Sequence, residues 1–254
     1  MTRVLRPGPA TMEGLRWLSR VGPAPLDAWR CAMGWSEVAA RSHARRLERE
    51  GWLARYPMTR GNGSLFVATR IGVAVASVPV RAAGEPGPTW WAHHCGCAWM
   101  AAWLTVRDRE FIGGRELLGR DDWSAEISWR DHKGPHTSGH RPDLVGIRPD
   151  GRPVAIEVEL AQKSAERLKA ILRLHASWRA AGKTNGAWYV CGDEDGCARI
   201  RKIARATGHF TSDDPGLRVR LLEAIRTEAS EAADARRGQA GFRRSAAHPV
   251  SHGG

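Results

Sequence analysis

Apolar positions in the first fifty residues recur at a helical period, and then the period changes. Met12 to Arg20 patterns as a short amphipathic helix, and Pro25 to Ala32 as a second, with proline at a position that a helix start tolerates. Gly34 supplies a turn, Ser36 is placed to cap a third helix reaching Glu50, and Gly51 ends it. On that third helix Ala40, Ala44 and Leu47 fall at i, i+4 and i+7 and should face a core. Arg41, Arg45 and Arg49 form a parallel stripe, with Arg46 beside it. The segments WLARYP and LFVATR, around the glycine-rich TRGNGS, then read as two short strands and a turn. Three helices and a hairpin are the pattern of a winged helix-turn-helix, in which the third helix enters the major groove.

Between Val78 and Thr89 the sequence VPVRAAGEPGPT breaks any period with three prolines and two glycines, and marks a linker. Beyond it Trp90 to Val106 reads as a helix, and residues 111–130 carry a weaker pattern. Then come the strand DLVGI, the turn RPDG, the strand VAIEVEL, a helix from Lys163 to Ala181, the strand AWYVC, a helix from Cys197 to Thr207 and the strand LRVRLL. Strands alternating with helices predict an α/β sandwich. The expected fold class is therefore α+β in two domains: a winged helix over residues 11–77, a linker over 78–89 and an α/β domain over 90–226. Residues 227–254, rich in Ala, Gly, Arg and Ser, are expected to be a disordered tail.

Charge sharpens the reading of the N-terminal part. The formal net charge of the 254-residue chain is +12. Up to Arg70 there are twelve arginines and no lysine against five acids, so +7 of the +12 lies there. A cationic face of this kind releases counterions from phosphates, which predicts duplex DNA as partner. Arg41, Arg45, Arg46 and Arg49, with Arg60 at the hairpin tip, are the expected DNA contacts. A winged helix used for protein contacts, with solvated arginines, is the competing reading. Five cysteines and no secretory leader argue against a disulfide framework, and no apolar run is long enough for a membrane span, so a cytoplasmic protein is expected.

Candidate chemistry lies around the paired strands. In VAIEVEL the two-residue period puts Glu157 and Glu159 on one face, opposite Ile156, Val158 and Leu160. A strand between helical segments tends to be buried on both faces, where two carboxylates need a cation, and Mg2+ is a hard ion that prefers oxygen. Without a metal, at least one of them should titrate above its usual range. Asp143 joins them only if the hairpin loop has an odd number of residues. Pro149 and Pro153 disfavour a tight two-residue turn, so the longer loop, with Asp143 opposite Glu157, is expected. Lys163, one of only five lysines, follows Glu159 by four residues and is placed to share a proton or a charge with a metal-bound water.

The run Arg141-Pro142-Asp143, then Glu157-Val158-Glu159 and Lys163, resembles the PD-(D/E)XK nuclease-like core. The longer arrangement HRPDLVG, VAIEVELAQKS, RLKAIL and AWYV behind a winged helix resembles the replication-relaxation family of actinobacterial plasmids and integrative elements, over roughly residues 10–222. The resemblance implies a restriction-endonuclease-like C-terminal fold and a role in plasmid replication, relaxation or transfer. It also implies a Mg2+-dependent DNA endonuclease site, with Asp143, Glu157 and Glu159 as metal ligands and Lys163 as an electrostatic aid. Glu159 stands where that core usually has lysine, so the alternative is a regulator or relaxosome accessory that keeps the nuclease fold without catalysis. A homodimer, or contacts with relaxosome and replication proteins, would follow.

Other residues invite a metal and have a plainer reading. His93, His94, Cys95 and Cys97 are zinc-ligand types, but their segment is helix-like and CxC within a helix chelates poorly, so a core helix is expected. Gly134, Pro135 and Gly139 predict a loop that exposes His132, His136 and His140. His175 lies on the stripe of Leu168, Ile171, Leu172 and Trp178 and should be core. Trp90 and Trp91 border the linker, and the tryptophans in general are expected in the core.

Overall fold

The computed structural model describes residues 7–59, 63–161, 163–208 and 216–246. It is a mixed α+β protein. The first elements are helix α1 (Pro9–Val21), strand β1 (Ala24–Pro25), helices α2 (Leu26–Met33) and α3 (Glu37–Arg49), strands β2 (Leu53–Pro57) and β3 (Ser64–Ala68) and helix α4 (Arg70–Ala76). Ser36 caps α3 by accepting a hydrogen bond from the Ala39 amide at 3.2 Å. Ala40, Ala44 and Leu47 of α3 are buried, as the period requires. The three strands form one antiparallel sheet in the order β1-β3-β2, with Arg55 opposite Phe66. The tip of the β2–β3 hairpin, Arg60 included, lies outside the described residues.

An irregular stretch over Val78–Gly87 leads into helix α5 (Trp91–Thr105). It is tied down where the Arg115 guanidinium donates to the carbonyls of Arg81 and Ala82. Next follow strand β4 (Phe111–Ile112), the single turn α6 (Gly114–Leu117), strands β5 (Ala125–Asp131), β6 (Gly134–His140), β7 (Leu144–Ile147) and β8 (Pro153–Glu159), and helix α7 (Ala165–Ala180). Strand β9 (Ala187–Cys191), helix α8 (Glu194–Thr207), strand β10 (Leu217–Leu221) and helix α9 (Leu222–Ala246) complete the chain. The main sheet runs β10-β9-β8-β7-β4, antiparallel from β4 to β8 and parallel from β8 to β10.

Two layers of helix cover this sheet. On one face Leu168 and Leu172 of α7 and Ile200 and Ile203 of α8 pack with Tyr189 and Cys191. On the other face α5 and α9 bury Trp99, Trp103, Ile225 and Ala229 against Ile156, Val158, Trp188 and Val190. Burial of both faces is why β8 carries no simple inside–outside alternation. The same apolar cluster continues into Leu15, Leu18, Trp29 and Leu47, so the N-terminal helices share a core with the sheet. A Cβ on Gly96 would lie 2.6 Å from Val158 Cγ1, so a glycine lets α5 press this closely on β8.

Two expectations are corrected here. The segment holding His136 and His140 is not a loop: β5 and β6 pair as a hairpin, with Trp129 opposite His136 and Ala125 opposite His140. Gly134 takes a positive φ of 118° at the turn, which is where the glycine signal belongs, and the remaining residues alternate as a strand. The second correction is the tail. Instead of disorder from residue 227, α9 runs on to Ala246. Ile225, Ala229 and Ala233 recur every four residues and are fully buried, a stripe built largely of alanine that composition alone conceals. Residues 247–254 lie outside the described ones.

Glu228 gives α9 a polar anchor as well. It accepts from Trp103 Nε1 at 2.9 Å and Arg107 Nη2 at 3.0 Å, and pairs with Arg220. Glu228→Ala is expected to cost about 1–2 kcal/mol, a charge-assisted cluster discounted because a third of the side chain is exposed. Urea denaturation of wild type and variant measures it. Equal stabilities would mean that α9 does not dock as described.

Candidate functional site

The loop between β7 and β8 has five residues, Arg148–Arg152, with Leu144 opposite Ile156. This register sets Asp143, just before β7, across from Glu157, as the odd-length loop requires. Where the strand stops, the Asp143 side chain takes over the ladder: its Oδ2 accepts from the Val158 amide at 2.7 Å. Asp143, Glu157 and Glu159 thus gather at one end of the sheet. They do not all come within 4.8 Å of one another, and each is held by a different partner.

Glu157 is buried between α7 and β6. Its Oε1 lies 2.9 Å from His140 Nε2 and 3.3 Å from His175 Nε2. His175 is fully buried, with Nδ1 3.2 Å from the Tyr189 hydroxyl. Burial pushes the Glu157 carboxyl up, but the two imidazoles outweigh it and hold it well below the ordinary carboxylate range. This overturns, for Glu157, the expectation that crowding raises a carboxyl. The crowding is with histidines, not with another acid. Glu159 pairs with the Lys163 ammonium. Burial alone would lower Lys163, yet Glu159, Glu157 and Asp143 together raise it, so it stays charged.

Asp143 Oδ1 faces a third centre. His93 Nε2 is 3.2 Å away, and His93 Nδ1 lies 3.2 Å from the Val158 carbonyl. Cys97, one turn further along α5, brings its Sγ to 3.5 Å from His93 Nε2. Burial lowers the His93 imidazole, but Asp143 outweighs it and raises it. Burial takes the neighbouring His94 imidazole down to about 4. These three groups border a cavity of about 470 Å³ that also touches Trp90, Arg115 and Arg141.

The donor sets decide what could be held. Among the described residues, two groups bring three ligand atoms within 4.8 Å: His93, Cys97 and Asp143, and His140, Glu157 and His175. Both are rich in nitrogen or sulfur. Mg2+ asks for oxygens in an octahedron and keeps its waters. With Glu157 engaged by two imidazoles and Glu159 by an ammonium, the acids as they stand do not suit it. The histidine partners were hidden in sequence. His140 arrives through the β5–β6 hairpin and His175 through α7, whose stripe marked it as core and said nothing of Glu157.

The arginine face is separate. Arg41, Arg45 and Arg49 are exposed on α3 and Arg46 is half-buried. Arg41 pairs with Glu37 at 2.5 Å, an exposed contact of small energy. Arg45 and Arg49 have no ion pair among the described residues. Val38 stands 79% exposed at the start of the same face. A groove of about 270 Å³ between α3 and the hairpin is bordered by Arg41, Arg45, Arg55 and Ser64.

The chain matches no protein-family model and no curated protein. Among solved structures, protein VC1899 from Vibrio cholerae aligns with 91% of this chain at 11% identity and a TM-score of 0.31. The chain spans 57% of that protein. At that level the likeness bears on neither fold detail nor function. No described helix is long and apolar enough to cross a membrane.

Proposed function

We propose that this chain is a duplex-DNA-binding protein that reads DNA with α3 and the β2–β3 hairpin as a winged helix. The observation that carries the reading is the exposed stripe of Arg41, Arg45 and Arg49 on a helix whose opposite face is buried. The element order supports it: three helices, then a hairpin pinned by β1, with the third helix turned outward. The resemblance to replication-relaxation proteins adds the setting, a plasmid or integrative element, with the sheet domain as a nuclease-like scaffold. The test is binding of labelled duplex to the full chain across a salt series. Binding that ignores salt would defeat the reading.

One observation favours a second reading, metal-dependent DNA cleavage. The register sets Asp143 across from Glu157, with Glu159 two residues on and Lys163 beside them. The partners of these acids argue the other way, for a protein that binds without cutting. Supercoiled plasmid incubated with the chain and Mg2+ is expected to remain intact, in wild type as in Glu157→Ala. Nicking by wild type that is lost in Glu157→Ala, under conditions where a thermal melt shows the variant still folded, would establish the second reading.

A further inference from the structure

We propose that His93, Cys97 and Asp143 form a binding site for a borderline divalent transition-metal ion, zinc foremost, with a fourth coordination position open to the adjoining cavity. The site does not depend on DNA binding or on the Mg2+ reading.

The spacing of the three ligand atoms carries the argument. Zinc binds nitrogen and oxygen at about 2.0–2.1 Å and thiolate sulfur at about 2.3 Å, so a tetrahedron around it has an N–O edge of about 3.3 Å and an N–S edge of about 3.5 Å. Here Nε2 to Oδ1 is 3.2 Å and Nε2 to Sγ is 3.5 Å. The third edge, between Cys97 Sγ and the Asp143 carboxylate, is under 4.8 Å. His93 and Cys97 sit four residues apart on α5, so one helix face presents both. Asp143 comes from the start of β7 and completes the triangle across the interface that Gly96 brings close.

The orientation of the ligands is already fixed. A carbonyl oxygen can only accept, so His93 Nδ1 must carry the proton it shares with Val158 O, and Nε2 is the ring atom turned to the site. Asp143 Oδ2 is taken by the Val158 amide, which leaves Oδ1 turned the same way. One backbone residue on β8 therefore orients both ligands. Outer contacts of this kind are what metal-binding histidines and carboxylates generally have. The set of imidazole, thiol and carboxylate suits zinc and its neighbours and disfavours Mg2+. Three protein ligands beside a cavity of about 470 Å³ leave room for a water or a small anionic oxygen ligand, and Arg115 and Arg141 border that space. The buried group of His140, Glu157 and His175 is the other candidate, but it is closed to any exogenous ligand.

The test uses the full chain. It is loaded with Zn2+ and desalted for metal analysis, and loaded separately with Co2+ for absorption spectroscopy. One ion per chain is expected, and the cobalt form should show a thiolate-to-cobalt charge-transfer band. Cys97→Ser should abolish the band, and His93→Gln and Asp143→Asn should each weaken zinc retention at least tenfold. Cys95→Ser and Glu157→Gln should leave band and retention unchanged. A wild-type chain that retains no ion, or shows no thiolate band, overturns the site whatever the variants do. So does retention lost in Glu157→Gln and kept in Cys97→Ser, which would move the ion to the buried histidine pair.

Discussion

A chain in which Arg41, Arg45 and Arg49 are all replaced by alanine is expected to bind duplex DNA on the order of 100-fold more weakly near 0.15 M salt, with a log–log salt slope shallower by about 3. The three guanidinium groups stand on one exposed face of α3, one turn apart, and a helix lying in the major groove passes phosphates on both sides. Each neutralised phosphate releases roughly 0.9 counterion, so losing three contacts changes slope and affinity together. Folding should be unaffected, because no core contact is removed and surface substitutions generally stay within about 0.5 kcal/mol. The thermal melt of the variant is the control. Arg41 should contribute the least, since it first has to leave Glu37. Fluorescence anisotropy over a salt series reads both quantities. An unchanged slope would place the DNA surface elsewhere on the molecule.

That face was legible in the sequence because a helix period needs no partner to be seen. Ala40, Ala44 and Leu47 fix which side of α3 turns inward, and the arginines follow by geometry. The β7–β8 register was legible for a similar reason: Pro149 and Pro153 limit the turn, and a two-residue period then assigns each side chain to a face. What stayed hidden depends on long-range pairing. Nothing near Glu157 announces that His140 and His175 converge on it, from 17 residues before and 18 residues after it. Nothing near Asp143 announces His93, which lies fifty residues upstream on another layer. The expectation that charge at the acids must be answered by Mg2+ followed from counting acids along a strand. In the fold, histidines from α5, β6 and α7 lie against Asp143 and Glu157, while Lys163, in the turn just after β8, pairs with Glu159. Helix α9 was hidden for a different reason. Alanine is apolar enough to bury against α5, yet it leaves a composition that resembles an unstructured tail.

The buried centre carries the largest stability effect. Glu157→Ala is expected to destabilise the fold by about 3–5 kcal/mol, the usual result of removing one partner from a buried charged pair. His175 is fully buried and His140 nearly so, so neither imidazole can turn to water when the carboxylate is gone. Glu157→Gln keeps the shape and one acceptor and should lose about 1–3 kcal/mol. Acid separates this cause from simple loss of packing. Glu157 titrates lower in the folded chain than its ordinary value of 4.5. A group depressed in this way stabilises the fold fully above its unfolded pKa, and that stabilisation is lost as the pH falls below it towards the folded value. Wild type should therefore lose stability steeply below about pH 4.5, while Glu157→Gln, which has no such proton to take up, follows a shallower course. The gap between the two urea midpoints should narrow from pH 6 to pH 3. A gap that stays constant over that range would make Glu157 a packing residue whose charge does no work. A narrowing gap would mean that the sheet end is held together by its ionised carboxylate, with the two histidines as the reason that a lone acid can remain charged in that interior.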